Sequence, residues 1–109
     1  MDFNPDKIFH EVSEAGDDWA DKKAAYEALG DNTKSVLADI ISNYLDGKMS
    51  KGEAEVRAQG SREYKDHLAA VAKARREWLH AQVKYDSLKM LVELRRSQES
   101  TRREEMRMR

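Results

Sequence analysis

The sequence predicts an all-α protein: an antiparallel helical hairpin of two long helices, with a short helix or turn between them and coiled-coil character. Three observations carry this. Helix breakers are scarce, with one proline and five glycines in 109 residues, while alanine, glutamate, lysine, arginine and leucine are plentiful, a composition suited to long helices. Apolar residues return every seven positions in two segments of similar length. The segment joining them is short, which sets neighbouring helices antiparallel. Aromatic residues make up only 7% of the chain, so a large globular core is not expected.

A single domain over 1–109 is expected in four parts. Residues 1–16 form an acidic N-terminal helix or arm. "FNPDK" is its start signal: Asn4 can cap, and Pro5 suits the first helical position because its missing N–H has no helical partner there. Ile8, Phe9 and Val12 recur at helical spacing, and Gly16 is a point where the helix can bend or stop. Residues 17–46 form the first long helix. Trp19, Tyr26, Thr33 and Ile40 lie one heptad apart, and the phase does not slip across Gly30. The reading is therefore one continuous helix in which Gly30 costs about 1 kcal/mol relative to alanine; a break at Gly30 is the alternative.

Residues 47–61 form a turn with a short helix. Asp46-Gly47 is a stop signal, the glycine being free to take a positive φ. Ser50 and Glu53 have capping-box spacing, which predicts a helix near 51–59. Gly60 ends it, and Ser61 caps the next element. Residues 62–109 form the second long helix, free of proline and glycine, with a stripe of Tyr64, Val71, Trp78, Tyr85 and Val92 filled in by Leu68, Ala74, Ala81 and Leu88. Matched from the turn outward, the two stripes put Leu45 near Leu68, Ile40 near Val71 and Arg75, Tyr26 near Tyr85 and Trp19 near Val92.

With no cysteine in the chain, disulfides and thiolate metal sites are excluded. The apolar runs fall well short of the ~18 residues that suggest a membrane span, and the acidic start lacks a basic-then-apolar leader pattern. The expectation is a soluble cytoplasmic protein with no membrane partner. The net charge of −1 conceals an asymmetry. Asp2, Asp6, Glu11, Glu14, Asp17, Asp18 and Asp21 crowd the start, where acids near a helix N-terminus interact favourably with its dipole. Arg95, Arg96, Arg102, Arg103, Arg107 and Arg109 crowd the end. Such a basic end, with Lys89 preceding it, can meet DNA phosphates or an acidic partner. It lacks an aromatic residue to stack on bases, so sequence-tolerant single-strand stacking is not supported.

Other chemistries fare worse. "ALGDNTKSVL" ends in Lys34-Ser35-Val36-Leu37, but a phosphate loop would need glycines where Ala28 and Thr33 stand, and a strand before them. Lys34 and Ser35 read as helix-surface residues. Glu77 and His80 have the E-x-x-H spacing of a carboxylate di-metal helix, with Glu27 or Asp31 as facing acids. They share a polar face with Lys73 and Lys84, however, and no metal, cofactor or catalytic set is expected. The protein reads as non-enzymatic.

Trp19, Tyr26, Trp78, Leu79, Tyr85, Leu88, Leu91 and Val92 are the candidate oligomer or partner interface. Two helices bury limited area, and a small chain gains from a partner surface. Leu79, Met90, Leu91 and Leu94 lie partly off the main stripe, as a second packing face would. A homo-oligomer is expected, a dimer favoured.

The run "TKSVLADIISNYL" and the long stretch from "SKGEAEVRAQGSREYKDHL" through "LRRSQESTRREEMR" resemble small helical proteins of tailed phages and prophages. The shared marks are the Lys-Ser, the short alanine-rich turn, "REY" opening the long helix and "LRRSQESTRREEM" closing it. The likeness covers about residues 30–106. It implies a phage origin, hence the host cytoplasm, and a neighbourhood of recombination and replication genes; it brings no catalytic residues. The function expected is a phage accessory protein acting through contacts with another phage or host protein, and with DNA. The alternatives are a phage inhibitor of a host enzyme or defence complex, docking helix-in-groove, and a purely structural coiled-coil adaptor.

Overall fold

The computed structural model describes residues 4–108, which form four helices and no strand: α1 (Pro5–Asp31), α2 (Thr33–Leu45), α3 (Lys51–Gln59) and α4 (Arg62–Arg107). The fold is all-α. None of these helices is long and apolar enough to cross a membrane.

Local chemistry fixes the helix starts. Asn4 Oδ1 accepts the backbone N–H groups of Asp6 and Lys7 at 3.1 and 3.3 Å, capping α1 with Pro5 as its first residue. Ser50 Oγ accepts from Glu53 N–H at 3.3 Å, satisfying one of the donors that a helix start leaves unpaired. Glu53 turns toward Arg57 one turn on, at 3.6 Å. Ser61 joins two helices through one hydroxyl: it donates to the Ala58 carbonyl at 2.6 Å and accepts from Tyr64 N–H at 3.2 Å.

The helix ends differ from expectation in three places. α1 runs unbroken through Gly16, so residues 5–16 are not a separate arm and the first helix begins at Pro5, not near residue 17. Gly16 serves close packing: a Cβ there would stand 3.2 Å from the ring carbons Cε1 and Cζ of Tyr85. The first long helix is also interrupted, at Asn32 and not at Gly30. Asn32 keeps near-helical angles (φ −82°, ψ −6°), its N–H bonds Ala28 and its carbonyl accepts Val36 N–H. Beside it the Thr33 hydroxyl donates back to the Leu29 carbonyl at 3.4 Å, a competition with the backbone ladder that bends helices. Lastly, the left-handed residue after α2 is Lys48, with φ 70°, and no glycine takes a positive φ. The backbone first closes two further turns, Gly47 N–H to Tyr44 and Lys48 N–H to Leu45, which defers the reversal by one residue.

The two glycines of α1 therefore respond oppositely to a side chain. Gly30 has nothing within 4 Å of a built Cβ, so Gly30→Ala is expected to raise stability by about 0.5–1 kcal/mol through helix propensity. Gly16→Leu is expected to lower it by about 1–3 kcal/mol by forcing Tyr85 aside. Urea unfolding of the two variants checks both signs; equal effects would mean that Gly16 is not a packing position.

The chain divides into two compact units. One joins the segment up to Asp21 with the segment from Leu79 onward; the other is Lys22–Trp78. In the first, the Trp19 and Tyr85 rings lie 6.0 Å apart at 34°. In the second, Tyr26 meets Trp78 edge-on, 5.4 Å and 81°, and Thr33 Oγ1 lies 2.9 Å from His67 Nε2. α3 packs along α2. The pairs differ from those counted outward from the turn: Tyr26 meets Trp78 in place of Tyr85, and Trp19 meets Tyr85 in place of Val92, a shift of one heptad. The turn count treated 47–61 as a spacer, whereas α3 is a packed element whose Ala54 and Ala58 are fully buried.

The covered positions of α4 follow three- and four-residue steps, Tyr64, His67, Val71, Ala74, Trp78, Ala81, Tyr85, Leu88, Val92 and Arg95, with Gln82 half-buried beside Ala81. Leu68, expected on this stripe, is exposed, and His67 takes its place. Among the described residues only alanines and Ile40 are buried outright, and no large side chain is fully enclosed.

Candidate functional site

The candidate interface residues fall on the half-buried stripe of α4, opposite it on α1, on the outer face of α4, or, for Leu91, between the two faces of α4. Trp78, Tyr85, Leu88 and Val92 lie on the half-buried stripe, and Trp19 and Tyr26 are the half-buried residues of α1 that meet Tyr85 and Trp78. Leu79 and Leu91 point away and are exposed. The sequence reading missed Val83, which stands alone between Gln82 and Lys84. At 100° per residue it joins Leu79, Met90 and Leu94 in a line about half a turn from the half-buried stripe. All four are exposed, Val83 at 65% and Met90 at 71%. A shallow depression between Asp86 and Ser97 runs along this outer face.

The basic residues fall into three groups. Lys89 is held from two sides: its Nζ lies 3.3 Å from Asp86 Oδ1 and 4.2 Å from the Tyr85 ring centroid, a cation–π contact. Arg96 pairs with Glu93 at 3.7 Å and Arg107 with Glu104 at 3.8 Å. Arg95, half-buried, closes the covered stripe and, with Arg96 and Glu99, borders a cleft shared with Pro5, Ile8 and Val12 of α1. Arg102 and Arg103 are exposed and form no ion pair among the described residues. Arg109 lies outside the described residues.

The spacing of these charges on α4 has a geometric consequence. Lys89, Arg96 and Arg103 succeed one another by heptads, as do Arg95 and Arg102, so the cations form two adjacent lines with Glu99 between them. Such an array can follow a row of phosphates or carboxylates, and the exchange of its weak surface ion pairs for a ligand costs little.

The remaining motif residues are dispersed. Lys34 and Ser35 are exposed in the first turn of α2, and Glu77 and His80 are exposed on α4. Among the described residues no three His, Cys, Asp or Glu side chains stand together as a metal site. His67, which sequence reasoning left unassigned, proves structural. It shares a 2.9 Å hydrogen bond with the Thr33 hydroxyl through Nε2, in a direction set by the imidazole tautomer. Its only sequence signal was a three-residue step from Tyr64 and a four-residue step to Val71.

No family model, curated protein or solved structure matches the chain.

Proposed function

We propose that the chain is a non-enzymatic accessory protein of phage DNA recombination or replication, built as an antiparallel coiled-coil hairpin and self-associating as a homodimer. It acts by offering helix faces to protein partners and the Arg95–Arg109 segment to DNA or an acidic protein. The observation that carries this reading is the division of α4 into a half-buried stripe and an exposed apolar line, beside a core that encloses no large side chain. A helix that is apolar on a second face gains by covering it. The hairpin is supported inside each unit by contacts that climb one helix while descending the other: Tyr26 with Trp78, then Thr33 with His67; and Trp19 with Tyr85, with Val92 beside the start of α1. The three-four alternation of covered positions supports the coiled-coil character. The phage setting rests on the resemblance over residues 30–106.

The arginine segment is tested by fluorescence anisotropy with short single- and double-stranded DNA at low and near-physiological salt. The expected result is salt-dependent binding that Arg102→Ala with Arg103→Ala weakens, lowering the slope of log K against log salt by about 2 on duplex DNA. Unchanged binding in that variant would remove these arginines from the interface. Absence of binding by the native chain at low salt would move the segment's partner from DNA to an acidic protein.

A further inference from the structure

We propose that the exposed end of α4 is a major-groove helix for double-stranded DNA: arginines on its two flanks hold the opposite backbones, and Glu99 between them accepts a hydrogen bond from a base amino group. The inference rests on the DNA contact proposed above and names its substrate form and its geometry. Every position over 96–107 is exposed, so a stretch of helix about 18 Å long stands open on all sides. A helix is ~10–12 Å across, and the ~12 Å wide major groove of B-DNA admits one.

The charges on this stretch are sorted by face. At 100° per residue, Arg95, Arg96, Arg102, Arg103 and Arg107 all fall within about 80° of the line through Glu99. The rest of the circumference over 95–107 holds Ser97, Gln98, Ser100, Thr101, Glu104 and Glu105, and no cation. Within the basic face the order is cation, acid, cation. Arg95 and Arg102 lie about 40–60° to one side of Glu99, and Arg103, Arg96 and Arg107 about 40–80° to the other.

That order selects the partner. A single phosphate row laid along the centre of this face meets the Glu99 carboxylate with like charge, and so does an acidic protein surface. Two rows, one along each flank, avoid it. Side-chain tips ~5–6 Å from the helix axis and 100° apart stand about 9 Å from each other, and further when arginines extend; this is the scale of the two walls of the groove. The floor then faces Glu99 and, one heptad on, Met106. Cytosine N4 presents a donor there that a glutamate accepts, and thymine presents a methyl group for an apolar contact. α1 starts beside Glu99, with Pro5 and Asp6 lining the same cleft, which limits entry to the length from Glu99 onward and makes Arg102, Arg103 and Arg107 the wall contacts.

Fluorescence anisotropy on the full chain tests this, with a short mixed-sequence duplex, its separated strands, and two duplexes of equal length built of G·C or of A·T pairs alone. The native chain is expected to bind the mixed duplex at least tenfold more tightly than either strand. Methyl green, which occupies the major groove, is expected to displace it, and distamycin, which occupies the minor groove, is not. The G·C duplex is expected to be preferred at least threefold over the A·T duplex, and Glu99→Ala to abolish that preference while helix content by circular dichroism holds. Equal affinity for duplex and strand, or failure of methyl green to displace the chain, overturns the groove placement and leaves the DNA contact standing. A native chain without the preference, or a variant that keeps it, overturns the role of Glu99. Absence of DNA binding by the native chain at low salt overturns both readings.

Discussion

Replacing Trp78 with alanine is expected to lower stability by about 3 kcal/mol, read as a lower urea midpoint at unchanged slope. Trp78 is the largest residue on the half-buried stripe of the Lys22–Trp78 unit, and its edge-on contact with Tyr26 is the ring pair of that unit. Such a pair adds about 0.5–1.5 kcal/mol beyond the area it covers. With Ile40 the only large aliphatic side chain buried outright among the described residues, little else is available to fill the space. Trp78→Phe isolates the cause. The indole Nε1 is buried and has no hydrogen-bond acceptor among the described residues, a state that costs free energy in the native protein. Phenylalanine removes that donor and keeps an aromatic face, so its effect is expected to stay within about 1 kcal/mol. Comparable losses in both variants would assign the stability to the indole's own shape.

Ala58→Leu is expected to cost about 3 kcal/mol, the upper end for overpacking a closed site. Ala58 and Ala54 stand one turn apart on α3 and are completely buried, and α3 packs on α2. Methyl side chains permit that approach, and a leucine forces the helices apart. The strain reaches the next element, because the Ala58 carbonyl accepts the Ser61 hydroxyl that caps α4. Amide exchange should therefore accelerate across α3 and in the first turn of α4, with the middle of α4 little changed. Uniform acceleration throughout the chain would mean that α3 is not a separately dislodged element.

Features that depend on a few neighbouring residues were legible in the sequence. The caps at Asn4, Ser50 and Ser61, the short helix at 51–59 and the unbroken run from Arg62 are written in local hydrogen-bonding and propensity. Features that depend on a distant partner were not. Gly16 reads as a breaker until Tyr85 is seen against it, and the Lys48 reversal depends on how far the last turn of α2 winds. The pairing of stripes came out one heptad away because stripes repeating every seven residues match almost equally well at each step of seven. At the candidate site, Leu79 and Leu91 were legible as apolar residues off the main phase, whereas Val83 was hidden by its polar neighbours. Arg95 was legible as a cation but not as the closing residue of the covered stripe.

That ambiguity gives the Thr33–His67 contact a meaning beyond its own strength. Leucines, alanines and tyrosines keep their chemical character when one helix slides along another by seven residues, so apolar attraction alone discriminates poorly among such alignments. The threonine–histidine bond has no equivalent at the next step. Sliding by a heptad in one direction would bring His67 opposite Ile40 in place of Thr33 and strand its ring nitrogen against an apolar side chain, a penalty of about 1–3 kcal/mol. That is roughly a 5- to 150-fold preference for one alignment. A single polar pair thus distinguishes one alignment of these helix segments from the others that their hydrophobic pattern would accept.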